Sequence, residues 1–174
     1  YMRKILIVID MRNDFIDGSL GTKEAVGIVE DVKKKILTYD KRDVFATMDT
    51  HKGNYLDTQE GKNLPVSHCI ENTEGWELNN EIAGLIYPEN VFKKPTFGSV
   101  ELAKKISEIA KEGEIEIELV GLCTDICVVS NALLLKAFLP ETRISVDSSC
   151  CAGVTVEKHN AALDTLRSCQ VNIE

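Results

Sequence analysis

The chain has 174 residues, 44% of them hydrophobic, and a formal net charge of −8. That length supports a substantial core and that composition argues against extended disorder, so one folded domain is expected over residues 1–174. An acidic chain without a basic cluster is a poor partner for nucleic acid or an anionic membrane, and no apolar run is long enough to span a bilayer.

Residues 5–9 (ILIVI) are continuously apolar, as a strand buried on both faces would be. Val26, Val29, Val32, Ile36 and Leu37 then fall at helical spacing, which predicts a helix over 23–39. Residues 43–48 read as a second strand. Residues 49–75 are polar and rich in Gly, Asn and Thr, with no period; a stretch that long predicts a functional excursion rather than an idle connector. A helix over 78–87 and a short strand over 91–93 follow. Residues 99–111 form an amphipathic helix stopped near Gly113, and 114–120 read as a central strand. An apolar helix over 127–138 ends at Pro140, followed by a strand at 143–146, a helix at 156–169 and a last strand at 171–173. Repeated βα units of this length predict an α/β fold: a three-layer α/β/α sandwich on a mostly parallel central sheet.

Ligands of such sheets bind beyond the carboxyl ends of the strands. Asp10, Asp49, Lys94 and the turn before Cys127 all fall at that edge. Cys127 opens a helix, with Thr124 and Asp125 ahead of it as candidate caps, and amides at a helix N-terminus make a thiol more acidic. The plain alternative for Cys127 is a small buried helix residue. Asp10 ends a buried strand, where a carboxylate is costly unless paired, and Lys94 can pair it. By itself Lys94 reads equally well as a solvated lysine beside Lys93. Carboxylate, lysine and thiol together make a covalent-catalysis site, with the carboxylate as proton acceptor. Cys123 and Cys127 are spaced C-x-x-x-C, one residue longer than a redox C-x-x-C pair, which favours one nucleophile over a dithiol.

Six cysteines with no visible secretory signal predict a reducing, cytoplasmic setting, most of the six being small buried hydrophobes. Tyr1 ahead of Met2 reads as a remnant of expression cloning. Asp49 and His51, two apart at a strand end, project to one face, and Glu60 and His68 follow in the polar excursion. Two imidazoles and two carboxylates suit zinc, iron or manganese, with solvated loop residues as the alternative. His159, on the last helix, reads as an ordinary surface residue.

The segments IVIDMRNDF (7–15), MDTH (48–51), PVSHCIENTEGWEL (65–78), KKPTFGS (93–99) and VGLCTDICV (120–128) together resemble the isochorismatase-like cysteine hydrolases, and among these the nicotinamidases. The resemblance spans nearly the whole chain. It implies a catalytic triad of Asp10, Lys94 and Cys127, and a cis peptide between Leu122 and Cys123. It also implies an oxyanion hole from the backbone N–H groups of Cys123 and Cys127. One divalent metal ion, zinc or else iron or manganese, would be held by Asp49, His51, Glu60 and His68. Phe15, Leu20 and Leu64 would wall the substrate pocket. Lys94 rather than Lys93 takes the lysine role because the family's lysine precedes two residues and then an aromatic, here Phe97.

Two departures stand out. Glu60 occupies a ligand position that many nicotinamidases fill with a third histidine. The family's aromatic-Pro-Pro-His run appears as Leu64-Pro65-Val66-Ser67-His68, so Leu64 replaces the ring that stacks on the substrate. The implied activity is hydrolysis of a small amide, nicotinamide to nicotinate and ammonia, through a thioester. The alternatives are a carbamoylsarcosine- or ureidoacrylate-type amidase, a thiol-independent isochorismatase, or a catalytically silent metal-binding protein. Assembly stays open between a monomer and a homo-oligomer.

Overall fold

The structure is a computed structural model that describes residues 2–174; the reading of Tyr1 lies outside them. Strands β1 (Arg3–Ile9), β2 (Val44–Asp49), β3 (Val91–Lys94), β4 (Ile115–Leu122), β5 (Arg143–Ala152) and β6 (Asn172–Ile173) form one sheet in the order β3-β2-β1-β4-β5-β6. Every pairing is parallel, so the sheet expected to be mostly parallel is parallel throughout. The α-helices among the described residues are α1 (Asn13–Ile16), α2 (Lys23–Leu37), α3 (Gln59–Asn63), α4 (Asn80–Ala83), α5 (Val100–Ala110), α6 (Val129–Phe138) and α7 (Val156–Ser168).

The pleat of β1 explains the layering. Ile5, Ile7 and Ile9 pack with Leu102 and Ile106 of α5, Leu135 of α6 and Leu163 of α7. Leu6 and Val8 point the other way, onto Ile28, Val29 and Val32 of α2. Both faces are therefore covered, and residues 5–9 are completely buried, which is why they read as an unbroken apolar run. α2 starts where Thr22 accepts the Ala25 N–H at 3.0 Å, and α5 where Ser99 accepts the Leu102 N–H at 3.2 Å. From β1 the chain lays β2 and β3 on one side and then returns to lay β4, β5 and β6 on the other. The switch point lies between β1 and β4, and a crevice opens beyond their carboxyl ends.

Three expected elements differ. The helix over 78–87 contracts to α4, four residues long: Asn79 caps it at Glu81, and Pro88 opens a separate 3-10 turn. Ile82 and Ile86 are both buried, so the helical period there reflects packing rather than one continuous helix. The helix over 127–138 begins as a wide π-type turn, Thr124–Val128, and becomes α-helical only at Val129. β5 runs on to Ala152 instead of stopping at Val146, resuming its ladder with β4 at Cys151 after an irregularity between Leu119 and Gly121.

Gly121 makes that junction possible. Its φ is +121°, and a Cβ there would lie 2.1 Å from the Ile9 carbonyl oxygen. Gly121→Ala is expected to cost at least about 3 kcal/mol of stability, read as a fall in the urea midpoint at unchanged slope. A midpoint equal to that of the wild type would contradict this account of the β1–β4 contact.

Candidate active site

Asp10 follows β1 directly and adopts a φ of 46°, a left-handed conformation uncommon outside glycine. β2 holds it there. Thr47 Oγ1 accepts the Asp10 N–H at 3.2 Å and donates to Asp10 Oδ1 at 2.8 Å, and the Asp49 N–H donates to the same oxygen at 3.0 Å. Lys94 closes β3 and is buried. Its ammonium lies 2.7 Å from Asp10 Oδ2, 3.4 Å from Cys127 Sγ and 3.6 Å from Asp49 Oδ1, and donates to the Thr96 carbonyl at 2.9 Å. Asp10, Lys94 and Cys127, remote in sequence, thus meet around one ammonium group.

The capping expected ahead of Cys127 is not made by Thr124 or Asp125. Cys123 takes the cap position with no side-chain hydrogen bond. Asp125 Oδ1 accepts instead from the Val154 N–H at 3.0 Å, and Thr124 Oγ1 pairs with His159 Nδ1 at 2.6 Å. His159 is half-buried there, which corrects the surface assignment. The Leu122–Cys123 peptide is cis, as the resemblance implies.

The expected acidic thiol is overturned too. Burial, then the charge of Asp10, pushes the Cys127 thiol well above its ordinary value, and Lys94 offsets only part of this. Burial alone would lower the Lys94 pKa, but the neighbouring Asp10, Cys127 and Asp49 side chains raise it by more, so the amine remains an ammonium. The ammonium thus lies beside both the Asp10 side chain and a thiol held above its ordinary value.

A second cluster lies next to the first. His51 Nε2 is 3.0 Å from Asp49 Oδ2 and 3.2 Å from Glu60 Oε2, and His68 Nε2 is 3.5 and 3.6 Å from the same two oxygens. The excursion folds back to build this. The Cys69 carbonyl accepts the His51 N–H at 2.9 Å, and the Asp14 carboxylate of α1 accepts the Cys69 N–H at 2.8 Å, which returns His68 to the end of β2. Val66 O accepts from His68 Nδ1 at 2.8 Å, leaving Nε2 to the cluster. Tyr55 packs against both imidazoles.

The fit to a divalent ion can be tested on spacing. Ligands about 2.1 Å from a tetrahedral centre stand about 3.4 Å apart; the four imidazole-to-carboxylate separations here are 3.0 to 3.6 Å, and all four ligand atoms lie within 4.8 Å of one another. Asp49 Oδ1 also has no hydrogen-bond partner. Burial would lower the His51 pKa, yet hydrogen bonds to Asp49 and Glu60 raise it to about 9: these oxygens demand positive charge. The four residues fit the ion.

Cys127 of the first cluster and Asp49, Glu60 and His68 of the second line one cavity of about 660 Å³. Phe15, Leu20 and Leu64 all line it, and Phe97 and Ile126 add apolar wall. Cys123 and Cys127 lie on its floor side with Asp49 and His68. A polar hollow of about 520 Å³ sits at the opposite sheet edge, but its buried carboxylate, Glu118, is already paired with Lys35 and Tyr39.

Sequence reasoning missed Arg12. It is fully buried, donates through Nη1 to the Asp49 carbonyl at 2.6 Å and stacks 5.4 Å over Trp76. It therefore fixes the Asp49 carbonyl, while Asp10 takes the Asp49 N–H. A charged residue following a buried strand was the available signal.

The Isochorismatase domain family model matches residues 4–173. The chain belongs to the isochorismatase family. An isochorismatase family protein of Bacillus subtilis is 31% identical over 93% of each chain. Among solved structures, a pyrazinamidase/nicotinamidase of Streptococcus mutans superposes with a TM-score of 0.82 at 28% identity, covering 98% of this chain and 99% of that one. A pyrazinamidase of Pyrococcus horikoshii in complex with zinc shares the isochorismatase fold with a TM-score of 0.78 at 24% identity, over 99% and 98% of the two chains.

Proposed function

We propose that this protein is a cysteine amidohydrolase that converts nicotinamide to nicotinate and ammonia. It is a nicotinamidase-like hydrolase of amide carbon–nitrogen bonds. The observation that carries the reading is the Lys94 ammonium, 2.7 Å from Asp10 and 3.4 Å from Cys127, beside a four-donor cluster in one apolar cavity.

Asp10 Oδ2 has Lys94 as its partner and no hydrogen bond besides, so it can take the thiol proton as sulfur attacks the carbonyl. The backbone N–H groups of Cys123 and Cys127 receive the oxyanion; one such donor typically contributes about 3 kcal/mol. Asp10 returns the proton to the departing ammonia, leaving a thioester on Cys127. A water then gives its proton to Asp10 and its oxygen to the acyl carbon, releasing the carboxylic acid and restoring the thiol. Lys94 stays protonated throughout and holds both partners by charge. Asp49, His51, Glu60 and His68 would hold a divalent ion, which would supply Lewis acidity to position a ring nitrogen of the substrate. The zinc of the Pyrococcus horikoshii structure supports that assignment. Phe15, Leu20 and Leu64 enclose the ring. The reading carries a cytoplasmic setting, in which six free cysteines persist.

Ammonia release measured on nicotinamide, pyrazinamide, carbamoylsarcosine and ureidoacrylate tests the substrate. Turnover confined to the last two would replace nicotinamide by a carbamoyl or ureido compound, a reading favoured only by Leu64 at the stacking position. Chelation tests the cluster. The purified protein is expected to hold about one divalent ion per chain, and its removal to lower turnover at least about tenfold, restored by zinc, iron or manganese. Undiminished turnover in demonstrably metal-free protein would remove the ion from the reaction.

A further inference from the structure

The turn that carries the nucleophile, Thr124–Val128, is not held by its own helix cap. It is held from outside, by the junction between β5 and α7. Ala152 closes β5 opposite Leu122 in the β4 ladder, so the two strands leave the sheet side by side. Beyond them, two hydrogen bonds cross from one segment to the other. The Val154 N–H donates to Asp125 Oδ1 at 3.0 Å, and His159 Nδ1 shares a proton with Thr124 Oγ1 at 2.6 Å. Thr124 is completely buried, so its hydroxyl has little recourse to water if that contact is lost. Gly153 lets the segments approach: a Cβ there would lie 2.8 Å from the His159 backbone nitrogen and 2.9 Å from Asp125 Oδ1.

We propose that His159 is a positioning residue for the reaction: with Val154 it clamps the nucleophile turn through Thr124 and Asp125, holding the Cys127 sulfur in register with Lys94 and Asp10. The inference rests on the proposed function for its chemistry. Burial lowers the His159 pKa, in accord with a neutral ring that has one nitrogen to offer Thr124. The contact is made by Nδ1, the ring atom that an asparagine side chain can mimic and a glutamine side chain overshoots.

The test measures kcat and KM for the best amide substrate, together with the rate at which iodoacetamide alkylates Cys127, followed by peptide mass. His159→Ala and Thr124→Val are each expected to lower kcat roughly tenfold with KM changed less than about twofold, since a small misplacement of reacting atoms costs up to about a hundredfold. His159→Asn and Thr124→Ser are expected to restore most of the loss and His159→Gln to restore little. The double variant is expected to be no slower than the worse single one, because both remove the same bond. Wild-type kcat in both single variants, equal rescue by glutamine and asparagine, or multiplying losses would each overturn the clamp. If His159→Ala does not fold, Thr124→Val against Thr124→Ser decides. If the wild type hydrolyses no amide, the proposed function fails. The clamp is then read from alkylation, where a several-fold change in His159→Ala supports it and an unchanged rate overturns it.

Discussion

Cys127→Ala is expected to abolish amide hydrolysis, lowering kcat by at least about 10⁴-fold, while the protein stays folded. The two halves of that expectation have separate grounds. Cys127 is buried among apolar side chains, so removing one sulfur leaves a small cavity worth about 1 kcal/mol, less than the loss from a larger core side chain. Its chemical role has no substitute nearby. Cys123 lines the same cavity, but no ammonium contact is made to it, and burial raises its pKa to about 12. On the proposed mechanism, a Cys127 thiol held above its ordinary value would lose its proton as the bond to carbon forms. The wild type is therefore expected to alkylate slowly in the absence of substrate and yet to accumulate a mass adduct on Cys127 when quenched in acid during turnover. Turnover persisting in Cys127→Ala would point to a thiol-independent reaction of the isochorismatase kind.

What the sequence made legible, and what it hid, follows from the range of each interaction. The run ILIVI announces a strand buried on both faces because every side chain in it obeys the same demand. Residues 147–152 (DSSCCA) carry no such signal, since small and polar residues can join a ladder through backbone alone; β5 is longer than it reads. Asp10, Lys94 and Cys127 were legible because each follows an apolar strand, and parallel strands bring their carboxyl ends to one edge. The acid–base state of Cys127 was not. A helix N-terminus is a local feature, whereas the burial that raises the thiol, and the Asp10 charge that adds to it from more than a hundred positions away in the chain, come only with the fold. His159 misled for the same reason: its partner, Thr124, is 35 positions distant. Arg12 went unread, and only the return of Asp49 and Trp76 to its side shows why a guanidinium is buried there.

Asp10→Asn is expected to impair both activity and stability, and the pH dependence separates it from ordinary core damage. Asparagine can keep Oδ1 as acceptor for Thr47 and the Asp49 N–H, so the turn after β1 retains its hydrogen bonds. It cannot accept the thiol proton, and its other terminal group no longer offsets the ammonium 2.7 Å away. Hydrolysis should fall at least about 10³-fold for want of a base. Stability should fall by about 3 kcal/mol, because Lys94 is left as a buried cation with only the more distant Asp49 carboxylate facing it. In the wild type the folded-state pKa of Lys94 lies above its unfolded value, since Asp10, Cys127 and Asp49 together outweigh burial, so the pair's stabilisation is complete below about pH 10 and is lost only above it. In the variant burial prevails and the folded-state pKa drops below the unfolded one. The unfolded chain then binds the extra proton, and stability rises with pH. The gap between the two proteins should therefore be widest near neutral pH and narrow toward pH 10, measured as urea midpoints across that range. A gap independent of pH would mean that the lost carboxylate was not holding the ammonium in place.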